Sequence, residues 1–331
     1  MRNGLRVLVV ALVAVWALPV HAQWTWTPQT GRWVNLKRLP KETAELQIEH
    51  ARALMLAGDH RKAMKETEKF TQFYANDPLA DENQYLRGEI LMARGRWMDA
   101  AKEFQKLLAS HPETKRYGDA MAKQYEIGDK YYEKGLERMQ KRFVLLNRKR
   151  PLKHAAEVYG MVVENQPFTA EAAQAQYKIG LCHFTRGEYT EAAYEYRRVV
   201  EDYASSDYVD EASYGLAECY YKASLSPAYD QAPSQLAIEA MDEFKARYPE
   251  DGRNSDLAEW RGEMREAIAR QRLQTAQFYE KRREFASARL YYEQVVGEFG
   301  ETGSAETAKS WLAENSGVTH VGLKYGARQA Q

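Results

Sequence analysis

The residues best able to do chemistry in this sequence do not converge. The seven histidines, His21, His50, His60, His111, His154, His183 and His320, are scattered, and none stands in a HExxH or a histidine–carboxylate spacing suited to zinc. There is no phosphate-cradling glycine loop and no GxSxG elbow, so neither a catalytic constellation nor a bound cofactor or metal is expected. Cys182 and Cys219 lie 37 residues apart. If they occupy equivalent places on neighbouring helices, their backbones sit about 8–10 Å apart, beyond the roughly 4.4–6.8 Å a disulfide spans. Two small buried thiols are therefore expected.

A different residue type does recur at fixed spacing. Gln84-Tyr85-x-x-Gly88, Gln124-Tyr125-x-x-Gly128, Gln176-Tyr177-x-x-Gly180 and Ser213-Tyr214-x-x-Ala217 each place a tyrosine three residues before a small residue, on one side of a helix. Phenol rings bring apolar area and a hydroxyl at little entropic cost, which suits the capture of an extended or helical segment. Glu89 and Asp129 follow the small position by one residue and would border the same surface. Packing between repeats explains the same tyrosines equally well, and the spacing leaves both readings open.

These motifs sit inside a longer repeat. Residues 93–112, ARGRWMDAAKEFQKLLASHP, and 185–204, TRGEYTEAAYEYRRVVEDYA, match in residue type at an offset of 92. The same template recurs at Gly58-x-His60-x-x-Ala63, around Ala155, Tyr159 and Val162, at Ala237, Met241 and Phe244, and at Phe285, Ala288, Tyr292 and Val295. Ala63 to Ala100 and Ala155 to Ala192 are both 37 residues, close to the period of about 34 of tetratricopeptide repeats. Each copy reads as a helix pair. Small residues stand where the helices cross, aromatics fill the space beside them, and Pro78, Pro112, Pro167 and Pro249 stop the second helix.

The expected fold is all-α, a right-handed tetratricopeptide superhelix of about six helix pairs at 42–78, 79–112, 116–167, 171–204, 208–249 and 256–300. A closing helix follows at 303–315. The first helices should line the concave face, placing Tyr85, Tyr125, Tyr177 and Tyr214 as a ladder along it. Interruptions are expected between Gly135 and Ala155 and at SLSPAYDQAPSQ, 224–235, whose prolines exclude a continuous helix.

Around this solenoid, residues 42–315, lie three shorter segments. Residues 1–22 have Arg2 and Arg6 before an apolar run and Val20-His21-Ala22 as a small-residue cleavage site, the pattern of a secretory signal peptide. The apolar run is shorter than the roughly 20 residues of a spanning helix. Residues 23–41 carry Trp24, Trp26 and Trp33 around a PQTG turn and read as a hairpin that either caps the first repeat or binds a partner. Residues 316–331 read as a flexible tail.

With 47 basic and 47 acidic residues the chain is neutral, and removal of residues 1–22 leaves a net charge of −2, so no nucleic-acid partner is indicated. The strongest charge feature is the run Arg138, Lys141, Arg142, Arg148, Lys149, Arg150, Lys153 and His154 in the third repeat. It is either a solvated loop or a contact for acidic protein or anionic headgroups.

Together the repeat order, the leader and three residue runs resemble the BamD-like (YfiO/ComL) outer-membrane β-barrel assembly lipoproteins. The runs are Ala172-Ala173-Gln174-Ala175-Gln176-Tyr177-Lys178-Ile179-Gly180, GEYTEAAYEYRRVVEDYASSDYVDEASYGLAECYY at 187–221, and FYEKRREFASARLYYEQVVGEFGETGSAETAKSWL at 278–312. The resemblance covers roughly residues 42–315. It implies a non-enzymatic periplasmic scaffold at the inner face of the outer membrane. Such a scaffold would dock through its repeat groove and C-terminal repeats to the periplasmic domains of the β-barrel insertase and other assembly subunits, and would handle unfolded barrel proteins. The sequence departs from that group by one extra repeat and by the missing lipid-bearing cysteine, so membrane association is expected through a partner. The alternative reading keeps the fold and makes the chain an adaptor for cell-wall, division or polysaccharide-export machinery.

Overall fold

The computed structural model describes residues 24–27, 32–35, 39–141, 147, 149–224 and 232–317. The expected signal peptide lies outside the described residues, as do Arg148 and residues 318–331 of the expected C-terminal tail. Two compact units are distinguished, Met1–Ala120 and Met121–Gln331.

In the first unit, β1 (Trp24–Thr27) and β2 (Arg32–Asn35) form the expected antiparallel hairpin, with Trp26 opposite Trp33. The Trp26 ring is exposed. Two helix pairs follow, α1 (Ala44–Leu56) with α2 (His60–Phe73) and α3 (Ala80–Ala93) with α4 (Trp97–Ser110). The helix α5 (Tyr117–Gln140) carries the boundary between the units.

The second unit continues with α6 (Arg150–Asn165), then α7 (Ala170–Arg186) with α8 (Tyr189–Asp202), and α9 (Val209–Ser224) with α10 (Ala232–Arg247). The last pair is α11 (Asn254–Lys281) with α12 (Phe285–Glu298), and α13 (Gly303–Glu314) closes the unit. The helices thus form the six expected pairs and the closing helix, and the only described strands are those of the hairpin.

The two interruptions are shorter than the sequence indicated. Helix α5 continues past Gly135 to Gln140 and α6 starts at Arg150, while α10 starts at Ala232. Pro151 and Pro233 do not exclude these starts, because in the first turn of a helix the missing N–H has no partner to lose.

Local chemistry sets the other boundaries. Thr43, Thr169 and Thr302 cap α1, α7 and α13, each hydroxyl accepting from the backbone N–H three residues on. Gly58, Gly95 and Gly187 turn the chain between the paired helices at φ 81°, 70° and 77°, where a side chain would be strained.

The template alanines, Ala63, Ala100, Ala155, Ala192, Ala237 and Ala288, are all fully buried at the helix crossings. Four residues on stand Thr67, Phe104, Tyr159, Tyr196, Met241 and Tyr292, all buried. The small residue of the tyrosine motif completes this packing. A Cβ on Gly88 would meet the Phe104 ring at 2.4 Å, one on Gly128 the Tyr159 ring at 2.6 Å, and one on Gly180 the Tyr196 ring at 2.6 Å. Only a bare backbone lets the ring of the second helix lie that close to the first. At the end, Trp311 of α13 stacks on Tyr292 at 4.3 Å, and Glu266 of α11 accepts from the Ser304 hydroxyl at 2.7 Å.

Candidate functional site

The four motif tyrosines occupy one structural position. Each leans on a ring of the second helix of its own pair: Tyr85 on Phe104 at 5.5 Å, Tyr125 on Tyr159 at 5.4 Å, Tyr177 on Tyr196 at 5.6 Å and Tyr214 on Phe244 at 5.8 Å. Each is also covered by a residue further along the chain. The Arg116 guanidinium lies 5.0 Å from the Tyr85 ring, Lys178 Nζ 4.8 Å from Tyr125, and the Arg253 guanidinium 5.0 Å from Tyr214. Over Tyr177 the cover is the stacked ring of Tyr208 at 5.4 Å. Cation–π contact and ring stacking each add on the order of 1 kcal/mol to such a junction.

Burial then separates the four. Tyr85 is 5% exposed, whereas Tyr125, Tyr177 and Tyr214 are half-buried and keep an open edge. Burial, with a smaller push from Glu89, raises the Tyr85 phenol to about 12; burial, with Glu211, does the same for Tyr177. Tyr125 and Tyr214 are also pushed up, first by burial and then by Asp129 and Glu218 respectively. The phenols therefore stay neutral. The Tyr125 hydroxyl is buried and makes no hydrogen bond.

The two carboxylates of the ladder belong to the same junctions. Asp129 accepts from the Tyr159 hydroxyl at 2.6 Å and pairs with Lys178, so it holds the cation over Tyr125. Glu89 is half-buried near Tyr85. The structure thus brings Tyr125, Asp129, Lys178 and Tyr159 together. Tyr85 and Glu89 belong to the first unit and are described within it.

The covering residues were not legible from the tyrosine motif, yet three share a register. Arg116, Tyr208 and Arg253 each stand five residues after the C-cap of a second helix, His111, Tyr203 and Tyr248. The matching runs Pro112-Glu113-x-x-Arg116 and Pro249-Glu250-x-x-Arg253 were the available signal. Carboxylates fix both arginines. Arg116 donates to Glu82 at 2.7 and 2.9 Å, and Arg253 to Asp251 at 2.9 and 2.6 Å. Glu82 is accordingly held below the usual glutamate range by its bonds from Arg116, and Asp251 is lowered to about 2 by those from Arg253.

The other sequence-level candidates are placed as follows. Cys182 and Cys219 are free and buried in α7 and α9. Burial pushes the Cys182 thiol up to about 12 and Cys219 further in the same direction, so neither is a ready thiolate. His183 meets Glu188 at 3.0 Å, and His154 packs against Tyr131 at 5.3 Å. Among the described residues no group of three or more His, Cys, Asp or Glu is placed to hold a metal ion, and no helix is long and apolar enough to cross a membrane. Lys149 and Arg150 open α6 in exposed positions. Nothing is described of the Trp24 and Trp33 side chains.

A model of the YfiO family, described as outer membrane lipoprotein, matches residues 129–328, more than half of the chain. The chain belongs to the YfiO family. A tetratricopeptide-repeat model matches residues 48–114 and 85–122, ahead of the YfiO match. No curated protein matches the sequence.

Among solved structures the chain is similar to TTC0263, a thermophilic tetratricopeptide-repeat protein of Thermus thermophilus. The two are 15% identical with a TM-score of 0.31, over 67% of this chain and 98% of that one. A tetratricopeptide-repeat protein of Parabacteroides merdae is likewise 15% identical, with a TM-score of 0.32, over 82% of this chain and 97% of that one. MamA of Desulfovibrio magneticus is 18% identical with a TM-score of 0.30, over 64% and 98%. In this YfiO-family chain, the family match takes in the junctions of Tyr177 and Tyr214 and the Asp129–Lys178 pair, while Tyr85 lies in the repeat-model match.

Proposed function

We propose that the protein is a non-enzymatic scaffold of outer-membrane β-barrel assembly, working at the periplasmic side of that membrane after export by a cleaved signal peptide. The observation that carries this reading is the YfiO match over residues 129–328, which spans most of the helix pairs of the second unit. Its partners are the periplasmic domains of the β-barrel insertase, other assembly subunits and unfolded barrel proteins. It is held at the membrane through those partners.

The binding surface includes the open edges of Tyr125, Tyr177 and Tyr214 and continues onto the C-terminal helices α11 to α13. Tyr85 and Glu89 contribute through the packing of the first unit. A partner segment laid along the tyrosines gains apolar contact with the exposed parts of their rings.

Capture of partners from detergent-solubilised envelope with the purified chain as bait tests this function. Recovery of the β-barrel insertase is expected. Recovery of cell-wall, division or polysaccharide-export components without the insertase would replace it by the adaptor reading.

A further inference from the structure

Seven lysines and arginines stand between Arg138 and Lys153 with no acidic residue among them, in a chain whose 47 basic and 47 acidic residues balance overall. The fold gathers five of them, Arg138, Lys141, Lys149, Arg150 and Lys153, at one end of the α5–α6 pair. Gly135 of α5 lies against Leu152 of α6, so close that a Cβ would meet the Leu152 side chain at 2.5 Å. Lys149 Nζ donates to the Arg186 carbonyl at the end of α7, joining a third helix to this end. Lys141, Lys149, Arg150 and Lys153 are exposed and Arg138 is half-buried.

None of these five is ion-paired with a described carboxylate, whereas Arg116, Arg253, Arg265 and Arg272 elsewhere are all held by one. The acidic groups nearest in the chain do not cancel the charge. Glu133 and Glu137 lie beside Lys134 on α5, Glu157 lies a turn into α6 near His154, and Glu188 is taken by Arg186 and His183.

The helix dipole deepens the effect. The start of α6 has Lys149 as its N-cap with no side-chain cap bond and no acidic residue in the first turn. Cations at the positive end of a helix are the disfavoured arrangement, so local stability does not account for them. An anion brought to this end meets both the cations and the free N–H groups.

We propose that this end of the α5–α6 pair is a contact surface for an anionic phospholipid bilayer. One further feature selects a bilayer over an acidic protein. The family is one of outer membrane lipoproteins, so a membrane surface lies within reach of a chain at work in that setting. A headgroup layer needs no register with the cations, which suits a cluster of flexible side chains. The surface orients a scaffold already held by its partners, and it rests on the membrane-side location proposed above.

Flotation of the purified chain with phosphatidylcholine vesicles, with and without phosphatidylglycerol, tests this without any partner protein. Binding is expected only with phosphatidylglycerol, at low salt, with release at high salt. The triple variant Lys141→Glu, Lys149→Glu, Arg150→Glu should bind at least about ten-fold more weakly. Glutamates at a helix start are favourable, so the variant should keep its helical circular dichroism. Equal binding to neutral vesicles, no binding to anionic ones, or full binding by the triple variant overturns the proposal. Loss of insertase capture by the variant, with vesicle binding intact, would make this end a protein contact and also overturn it. Failure of the wild-type chain to capture the insertase would count against the assembly function alone.

Discussion

The pairs α3–α4 and α7–α8 are written in nearly the same residues, and their interiors are built alike. Gly88 lies under Phe104 and Gly180 under Tyr196; Ala100 and Ala192 fill the two crossings. Outside the template they diverge. Tyr85 is covered by an arginine pinned by Glu82 and Asp119, while Tyr177 is covered by the neutral ring of Tyr208 and keeps an open edge. The repeated residues therefore specify how a helix pair closes on itself. The short segment after each pair specifies how its tyrosine is covered, and that segment is free to vary.

If the interiors are equivalent, Phe104→Ala and Tyr196→Ala should each cost about 3–5 kcal/mol, because each ring is almost fully buried and leaves a cavity against a glycine. Urea denaturation of both variants measures this. A large cost at one position and a small one at the other would end the equivalence.

A smaller and more specific effect is expected from adding a single methyl. Gly88→Ala and Gly180→Ala should each destabilise by about 1–3 kcal/mol, since the new Cβ would overlap a ring that has no room to retreat. Gly58→Ala would not serve as a neutral control, because that glycine is at positive φ. Gly262→Ala serves better, with nothing within 4 Å of the added Cβ, and it should be neutral or mildly stabilising.

The helix pairs and the packing of the small residues were legible in the sequence because both follow from period and size. An alanine that returns after 37 residues, as from Ala63 to Ala100 and from Ala155 to Ala192, can be read without knowledge of its neighbours. The covers were not legible, because Arg116 and Lys178 come from different registers and act through space on a tyrosine that the motif shows alone. For the same reason the partners of Asp129 could not be read from the motif. Asp129 looks like a free surface acid until Lys178 and the Tyr159 hydroxyl are placed beside it. The start of α10 was missed because the prolines of 224–235 were read as excluding helix, although Pro233 is compatible with a first turn.

The difference in cover has a signature in pH. The Glu82 carboxyl is held low by hydrogen bonds from Arg116, so its folded value lies below its ordinary 4.5. A depressed carboxyl stabilises the fold above its unfolded value and loses that contribution as pH falls through the folded one. Arg116→Gln should therefore cost on the order of 1 kcal/mol at neutral pH, a modest figure because the pair is partly open to water. The cost should shrink as the pH falls below about 4.5. Tyr208→Leu removes the cover of Tyr177 without touching a titrating pair, and its cost should not change over that range. Parallel pH dependences for the two variants would erase the distinction between the covers.

The smallest effect concerns the short turns inside four of the pairs, where three copies keep a glycine and one does not. At Gly58, Gly95 and Gly187 the turn residue donates to the carbonyl three back, and its successor donates to the carbonyl five back, at 2.9–3.0 Å. Arg283, between α11 and α12, makes the same two bonds, Arg283 N to Glu280 O at 2.8 Å and Glu284 N to Tyr279 O at 3.0 Å, at φ 61°. The backbone is the same and the residue is wrong for it. An L side chain at this φ costs about 1–2 kcal/mol, of which a glycine returns part through its greater freedom when unfolded, about 0.5–1 kcal/mol. Arg283→Gly should thus stabilise the protein by up to about 1 kcal/mol. Conversely, Gly187→Ala should destabilise it by a similar amount, although nothing lies within 4 Å of its added Cβ, so the cost is torsional rather than steric. Thermal melting of the two variants on one baseline checks both signs. A stabilising Gly187→Ala, or a destabilising Arg283→Gly, would mean that the αL turn is not what the template glycine serves.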